Sequence, residues 1–336
     1  MNTFFYPMKI FTPFKVGALA LGLLALGSGC AKNNEVDPSI TNIVVTNPDF
    51  QTLEDAAIRC DVAVLLGNTN ADPKSGGKFT VFAPTNAAFA RLGLNSALDL
   101  MALQQPFLRS TLFYNVFSGT LPGSALTPGN TSASALAGLT RRIIRRADGS
   151  LYVNGSKILG TDVHASNGLI HPIDKVLLAT GGNMVESAVA LQSGGVFVKP
   201  ELTFLVAAVL RCNLQGLLSQ SGPYTVFAPT DQAFKDAGIP SIAAINTMDV
   251  PTLTSILANH VLSNSGSTLL GNKFTPELPE NTAVTAFGGR PLELGRFDNG
   301  VLTVKGAGNA VPANMVIPDV QCTNGVVHVI DRVLLP

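Results

Sequence analysis

The sequence has no tryptophan, four tyrosines, four cysteines and four histidines, and only 13% of its 336 residues are charged. Four scattered cysteines with no C-x-x-C pair cannot build a disulfide framework, a zinc site or a thiol redox centre. The histidines, at 164, 171, 260 and 328, leave little material for a metal centre or a metal cofactor. Twenty-two basic and 22 acidic residues cancel, so no positive excess exists to neutralise phosphates, and nucleic acid is excluded as a partner. What is plentiful is apolar: 46% of the chain is hydrophobic, enough for real cores and the opposite of a disordered composition. The length suggests two domains.

The N-terminus carries an export signal. Lys9 and Lys15 precede an apolar run over residues 16–26, which breaks into Gly27, Ser28, Gly29 and Cys30. The run is too short to cross a bilayer core of about 30 Å as a helix. Met8 offers a second start with a more typical signal length. The cysteine after small residues resembles a bacterial lipobox, which implies cleavage before Cys30 and attachment of lipid to it. Gly27 departs from the aliphatic residue usual three positions before the cysteine. The alternative is ordinary cleavage with Cys30 unmodified. Residues 1–30 are thus expected to be a lipoprotein signal peptide and residues 31–40, with Asn33, Asn34 and Asp37-Pro38, a polar tether.

The remainder is one unit written twice. Residues 79–90, FTVFAPTNAAFA, return at 224–235 as YTVFAPTDQAFK, with eight of twelve identical. Residues 167–178, NGLIHPIDKVLL, return at 324–335 as NGVVHVIDRVLL, again eight of twelve. Upstream, Pro48, Leu53, Ala57 and Cys60 correspond to Pro200, Leu205, Val209 and Cys212. The offset drifts from 152 to 145 to 157, which puts the length differences in Gly- and Pro-rich stretches, as loops should show. Domains are expected over 41–180 and 181–336.

Within a copy the periodicity changes. Phe50, Leu53, Ala57, Cys60 and Val64 follow helical spacing. Residues 80–83 read as a short buried strand, and Thr85 or Asn86 as the N-cap of a helix through Leu92. Residues 141–153 read as a hairpin around Asp148-Gly149, and 169–178 as a last strand. Strands and helices mix without regular alternation, which is an α+β pattern.

The pairing of T-V-F-A-P-T-[ND]-x-A-F with N-G-x-[IV]-H-x-I-D-x-V-L resembles the fasciclin domain. Both copies carry both blocks, so the resemblance runs from about residue 40 to the end. It implies two tandem fasciclin-like domains, each a wedge of β-strands with helices packed along one edge, and a secreted or surface-anchored adhesion or matrix role. It also implies that Thr85, His171 and Asp174, with Thr230, His328 and Asp331, hold the fold.

Several residues invite chemistry. His171 and Asp174, and His328 and Asp331, suggest acid–base work or a metal, but residues three apart on a strand point to opposite faces, so an imidazole bonded to buried backbone is the reading preferred. His164 and His171 flank a turn without further ligands nearby. Arg141, Arg142, Arg145 and Arg146 either guard an edge strand or grip an acidic polysaccharide or lipid phosphate. The resemblance implies a Tyr-His adhesion segment, split here between the copies: Tyr114 and Asn115 in the first, Asn259 and His260 in the second. Cys212 and Cys322 are a possible disulfide in an oxidising compartment.

The expected function is a non-catalytic binder of an envelope or matrix protein or a polysaccharide. A lipid would hold it in the cell envelope, at the outer membrane, facing the periplasm or the surface. The alternatives are a glycan hydrolase, which would need two carboxylates about 5–9.5 Å apart, and a purely structural spacer.

Overall fold

A computed structural model describes residues 37–133, 139–190, 202–220, 222–265 and 268–336. Asp37–Pro336 form one compact unit. The lipobox and Cys30 lie outside the described residues. The tether expected over 31–40 overlaps the fold: Ser39 caps the first helix and Ile40 is buried in the core.

The first repeat opens with helices α1 (Ile40–Thr46), α2 (Gln51–Arg59) and α3 (Val62–Gly67), then strand β1 (Phe79–Pro84). Helices α4 (Asn86–Ala90), α5 (Ala97–Met101) and α6 (Gln105–Tyr114) follow, then strands β2 (Val116–Ser118), β3 (Gly129–Ala133), β4 (Thr140–Arg145), β5 (Leu151–Val153), β6 (Ser156–Lys157), β7 (Val163–Ala165), β8 (Gly168–Ile173) and β9 (Leu178–Ala179). The second repeat runs through α7 (Met184–Ala190), α8 (Thr203–Arg211), α9 (Gln215–Ser219), β10 (Tyr224–Pro229), α10 (Asp231–Asp236), α11 (Ile242–Thr247) and α12 (Val250–Ala258). It closes with β11 (Val261–Ser265), β12 (Thr268–Leu269), β13 (Thr282–Thr285), β14 (Pro291–Leu294), β15 (Val304–Gly306), β16 (Met315–Cys322) and β17 (Gly325–Ile330).

The two sequence blocks of each repeat are neighbours in space. β1 pairs in parallel with β8, Phe79 opposite Gly168 through Pro84 opposite Ile173, and β10 pairs in parallel with β17 in the same register. β1, β8 and β17 are buried on both faces and β10 on one face with the other half-buried at Tyr224 and Val226, which is why neither block alternates apolar with polar. The fold is therefore α+β, a mixed sheet flanked by helices in each repeat.

Two elements differ from the sequence reading. The apolar helical stripe from Phe50 to Val64 is two helices, because Asp61 takes a left-handed conformation at φ 58° and breaks it; Val64 ends up exposed. The strand expected over 169–178 stops at Ile173 and restarts at Leu178, and the restart belongs to the other repeat: β9 pairs in parallel with β16, Leu178 opposite Val320 and Ala179 opposite Gln321. The chain leaves one sheet at Ile173 and enters the next at Leu178.

Candidate functional site

The shared blocks form a hydrogen-bond scaffold that is the same in both repeats. Thr85 and Thr230 are N-caps, their hydroxyls accepting from the amides of Ala88 and Ala233. The Asn of each Asn-Gly ties the helical layer to the sheet. Asn167 Oδ1 accepts from the Ile40 amide, and its Nδ2 donates to the carbonyls of Leu66 and Asn68. Asn324 does the same with Met184, Leu218 and Gln220. The glycine follows because a Cβ at 168 would lie 1.9 Å from the Phe79 carbonyl oxygen, and one at 325 would lie 2.0 Å from that of Tyr224.

His171 and His328 are fully buried against Phe82 and Phe227. In each, Nδ1 accepts from a backbone amide, Asp162 or Asp319, at 3.1 Å. Each Nε2 donates to a backbone carbonyl, Leu121 at 2.8 Å or Lys273 at 3.0 Å. Both nitrogens are thereby committed with the ring neutral. Burial pushes both imidazoles below their usual range, against the opposing pull of these bonds and of Asp162 or Asp319. Asp174 and Asp331 point elsewhere, Asp174 to the Lys157 amide and Asp331 to the Asn314 amide. His164 is exposed on β7 opposite Leu169 and does not join His171. Among the described residues no group of three His, Cys, Asp or Glu could hold a metal.

The expected adhesion segment is buried, which corrects its assignment: Tyr114, Asn115, Asn259 and His260 are all at most 2% exposed and cannot touch a partner in this fold. Asn115 and His260 instead perform one task with different chemistry. Asn115 Nδ2 donates to the Thr111 carbonyl and its Oδ1 accepts from the Leu177 amide. His260 Nδ1 donates to the Ile256 carbonyl and its Nε2 accepts from the Leu334 amide. Each staples the end of a helix to the last turn of its repeat. His260→Asn should therefore cost under about 1 kcal/mol in urea unfolding, whereas His260→Ala, which strands both backbone partners, should cost about 1–3 kcal/mol.

The arginines do not guard an edge, because β4 lies inside the sheet β3-β4-β5-β6. Arg141 is fully buried, donates to the carbonyls of Tyr114 and Val116, and is pulled by burial down to about 10, so it stays charged at neutral pH. Arg142 and Arg146 cross to the second repeat, each 2.7 Å from a carboxylate, Glu277 and Glu280, and each over a ring, Phe274 and Phe297. Only Arg145 is exposed.

The centre of that junction was not legible in the motifs. Lys175 Nζ lies 2.6 Å from Asp319 Oδ2 and also donates to the Gly300 carbonyl, with both side chains nearly buried. Asp319 further accepts from the Thr275 amide and hydroxyl. Tyr114 donates to Gln321, which also accepts from Asn154 at 3.0 Å. The available signal was the Asp-Val pair nine residues before each block histidine, Asp162-Val163 and Asp319-Val320. Both aspartates sit at positive φ, and each caps a short 3-10 helix, at Gly123 or Thr275.

The disulfide is not formed. Cys212 Sγ lies against the Val250 carbonyl while Cys322 Sγ faces Ser187, and Cys60, Cys212 and Cys322 are all free. The chain from Ala31 onward, denatured without reductant, should titrate three thiols; a count of one would restore the bridge.

Comparison with known proteins places these observations. The Fasciclin domain matches residues 48–179 and 200–336. Transforming growth factor-beta-induced protein ig-h3 of Sus scrofa is 29% identical over 262 residues, 77% of this chain and 35% of that protein. Periostin of Homo sapiens is 26% identical over 264 residues, 77% of this chain and 28% of that protein. The chain thus spans about a third of the length of these relatives. Cell surface glycolipoprotein MPB83 of Mycobacterium bovis is 29% identical over 170 residues, 46% of this chain and 71% of that protein. A solved FAS1 domain pair from the insect cell adhesion molecule fasciclin I is 20% identical with a TM-score of 0.39, covering 84% of this chain and 98% of that one.

Proposed function

This chain belongs to the fasciclin domain family, and on that premise we propose that it is an exported adhesion protein. Its partner would be an envelope or matrix protein or a polysaccharide, and a lipid on Cys30 would hold it in the cell envelope. In this reading the fasciclin domains serve adhesion without catalysis, and the chain acts as a binder rather than as an enzyme. The observation that carries the reading is the match of both repeats to one adhesion family. The anchor is supported by the lipobox-like 27–30 segment and by the likeness to a cell surface glycolipoprotein.

The experiment takes cells bearing the wild type or Cys30→Ala and measures attachment to immobilised matrix proteins and polysaccharides. The wild type should incorporate labelled fatty acid and attach; Cys30→Ala should incorporate none and lose attachment. Wild-type cells that take up the label but attach to nothing would favour the structural spacer, a reading that the pairing of β9 with β16 across the repeats suits. Wild type without label would end the lipoprotein assignment.

A further inference from the structure

Each repeat has an apolar cavity between its first helices and its central strand, and most of the positions that line the first correspond to positions that line the second. The amides of Ile40 and Met184 donate to the two motif asparagines, which aligns α1 with α7. The cavity of the first repeat is small, about 30 Å³; that of the second is about 160 Å³ among the described residues. Three differences between the copies reduce polarity or bulk at the lining, while Ala57 to Val209 and Val62 to Leu214 add bulk. Thr41 and Glu54, which line the first cavity, become Val185 and Val206, and Val44 becomes Ala188. The second copy lacks the Thr41 hydroxyl and the Glu54 carboxylate and has the larger space, although Ser187, Thr254 and His260 remain among its lining residues. Exposed apolar side chains, Val189, Leu210 and Leu217, stand among the lining residues and carry the apolar surface out to solvent.

A cavity of this kind gives water no partners and stays dry, and one of about 150 Å³ accommodates benzene. Space for about six carbons with an open apolar rim fits one kind of ligand. We propose that the second repeat binds the alkyl chain of an amphiphile in this cavity, with the polar end beyond the rim. The chain can come from a free amphiphile or from a membrane lipid.

The test uses the chain from Ala31 onward, which contains the whole compact unit Asp37–Pro336. Calorimetric titration with butanol, pentanol, hexanol and octanol should show one saturable site, with affinity rising roughly fourfold per methylene and levelling beyond about six carbons. Ala188→Leu on α7 and Val209→Phe on α8 fill the cavity from two helices. Either variant that keeps the wild-type melting temperature should bind hexanol at least about tenfold more weakly. Flotation with dioleoylphosphatidylcholine vesicles separates the sources. Retention lost on filling assigns the chain to a lipid, and saturable alcohol binding without retention assigns it to a free amphiphile. No saturable binding, or affinity that keeps rising with chain length and ignores both fillings, overturns the proposal.

Discussion

Asp319→Asn should destabilise the protein by about 3–5 kcal/mol. Asparagine keeps the shape of aspartate and tolerates the φ of 64° at this position, so backbone strain is not the cause. The cause is Lys175. Its ammonium lies buried between the repeats, and Asp319 is its anionic partner at 2.6 Å. Without that carboxylate the ammonium keeps the Gly300 carbonyl and the Thr275 hydroxyl, which accept hydrogen bonds but do not balance its charge. Lys175→Met in the same background should recover most of the loss, because it removes the stranded charge and leaves an apolar stem of similar length. Urea unfolding of wild type, both single variants and the double variant gives the coupling directly. A loss under about 1 kcal/mol for Asp319→Asn, the scale of an exposed ion pair, would mean that the junction opens to water.

Acidification should weaken the fold well above the range where carboxylates titrate, and histidine is the reason. Burial holds His260 down to about 4, against 6.5 in the unfolded chain. Between those values the unfolded state binds a proton that the native state refuses. Stability is therefore full above about pH 6.5 and falls as the pH drops toward 4, by about 1.4 kcal/mol per pH unit for each such histidine. His260 alone withdraws about 3 kcal/mol over that window. His171 and His328 act in the same direction, because burial lowers both. The exposed carboxylates Asp72, Asp99, Asp148 and Asp249 are held below their usual 3.8 by local hydrogen bonds. The contribution of these four is lost mainly at still lower pH. Unfolding free energies at pH 7.5, 5.5 and 4.5 should fall steadily, and His260→Asn should lessen the slope by one proton's worth. A flat profile down to pH 4.5 would show that these rings titrate as they do in water.

The sequence by itself determined the tandem and the fold class, because each block is a local pattern that recurs whole in the second copy. A four-residue apolar strand ending in Pro84 and Thr85 stops and caps a helix wherever it occurs, whereas the side-by-side pairing of the two blocks, with the Phe79 carbonyl 1.9 Å from where a Cβ of Gly168 would stand, is a tertiary result. The tertiary structure decided what depends on burial and on pairs far apart in the chain. Tyr114 and His260 look like a divided surface motif in sequence, yet burial turns them inward, where Asn115 and His260 make the same staple from unlike side chains. Arg142 finds Glu277, 135 residues away, and Lys175 finds Asp319, 144 away, and no spacing rule reaches that far. The second cavity is likewise a tertiary result. Ala188 and Val206 are ordinary apolar choices on their own helices, and only packing against the strands turns them into a space about five times that beneath Val44 and Glu54.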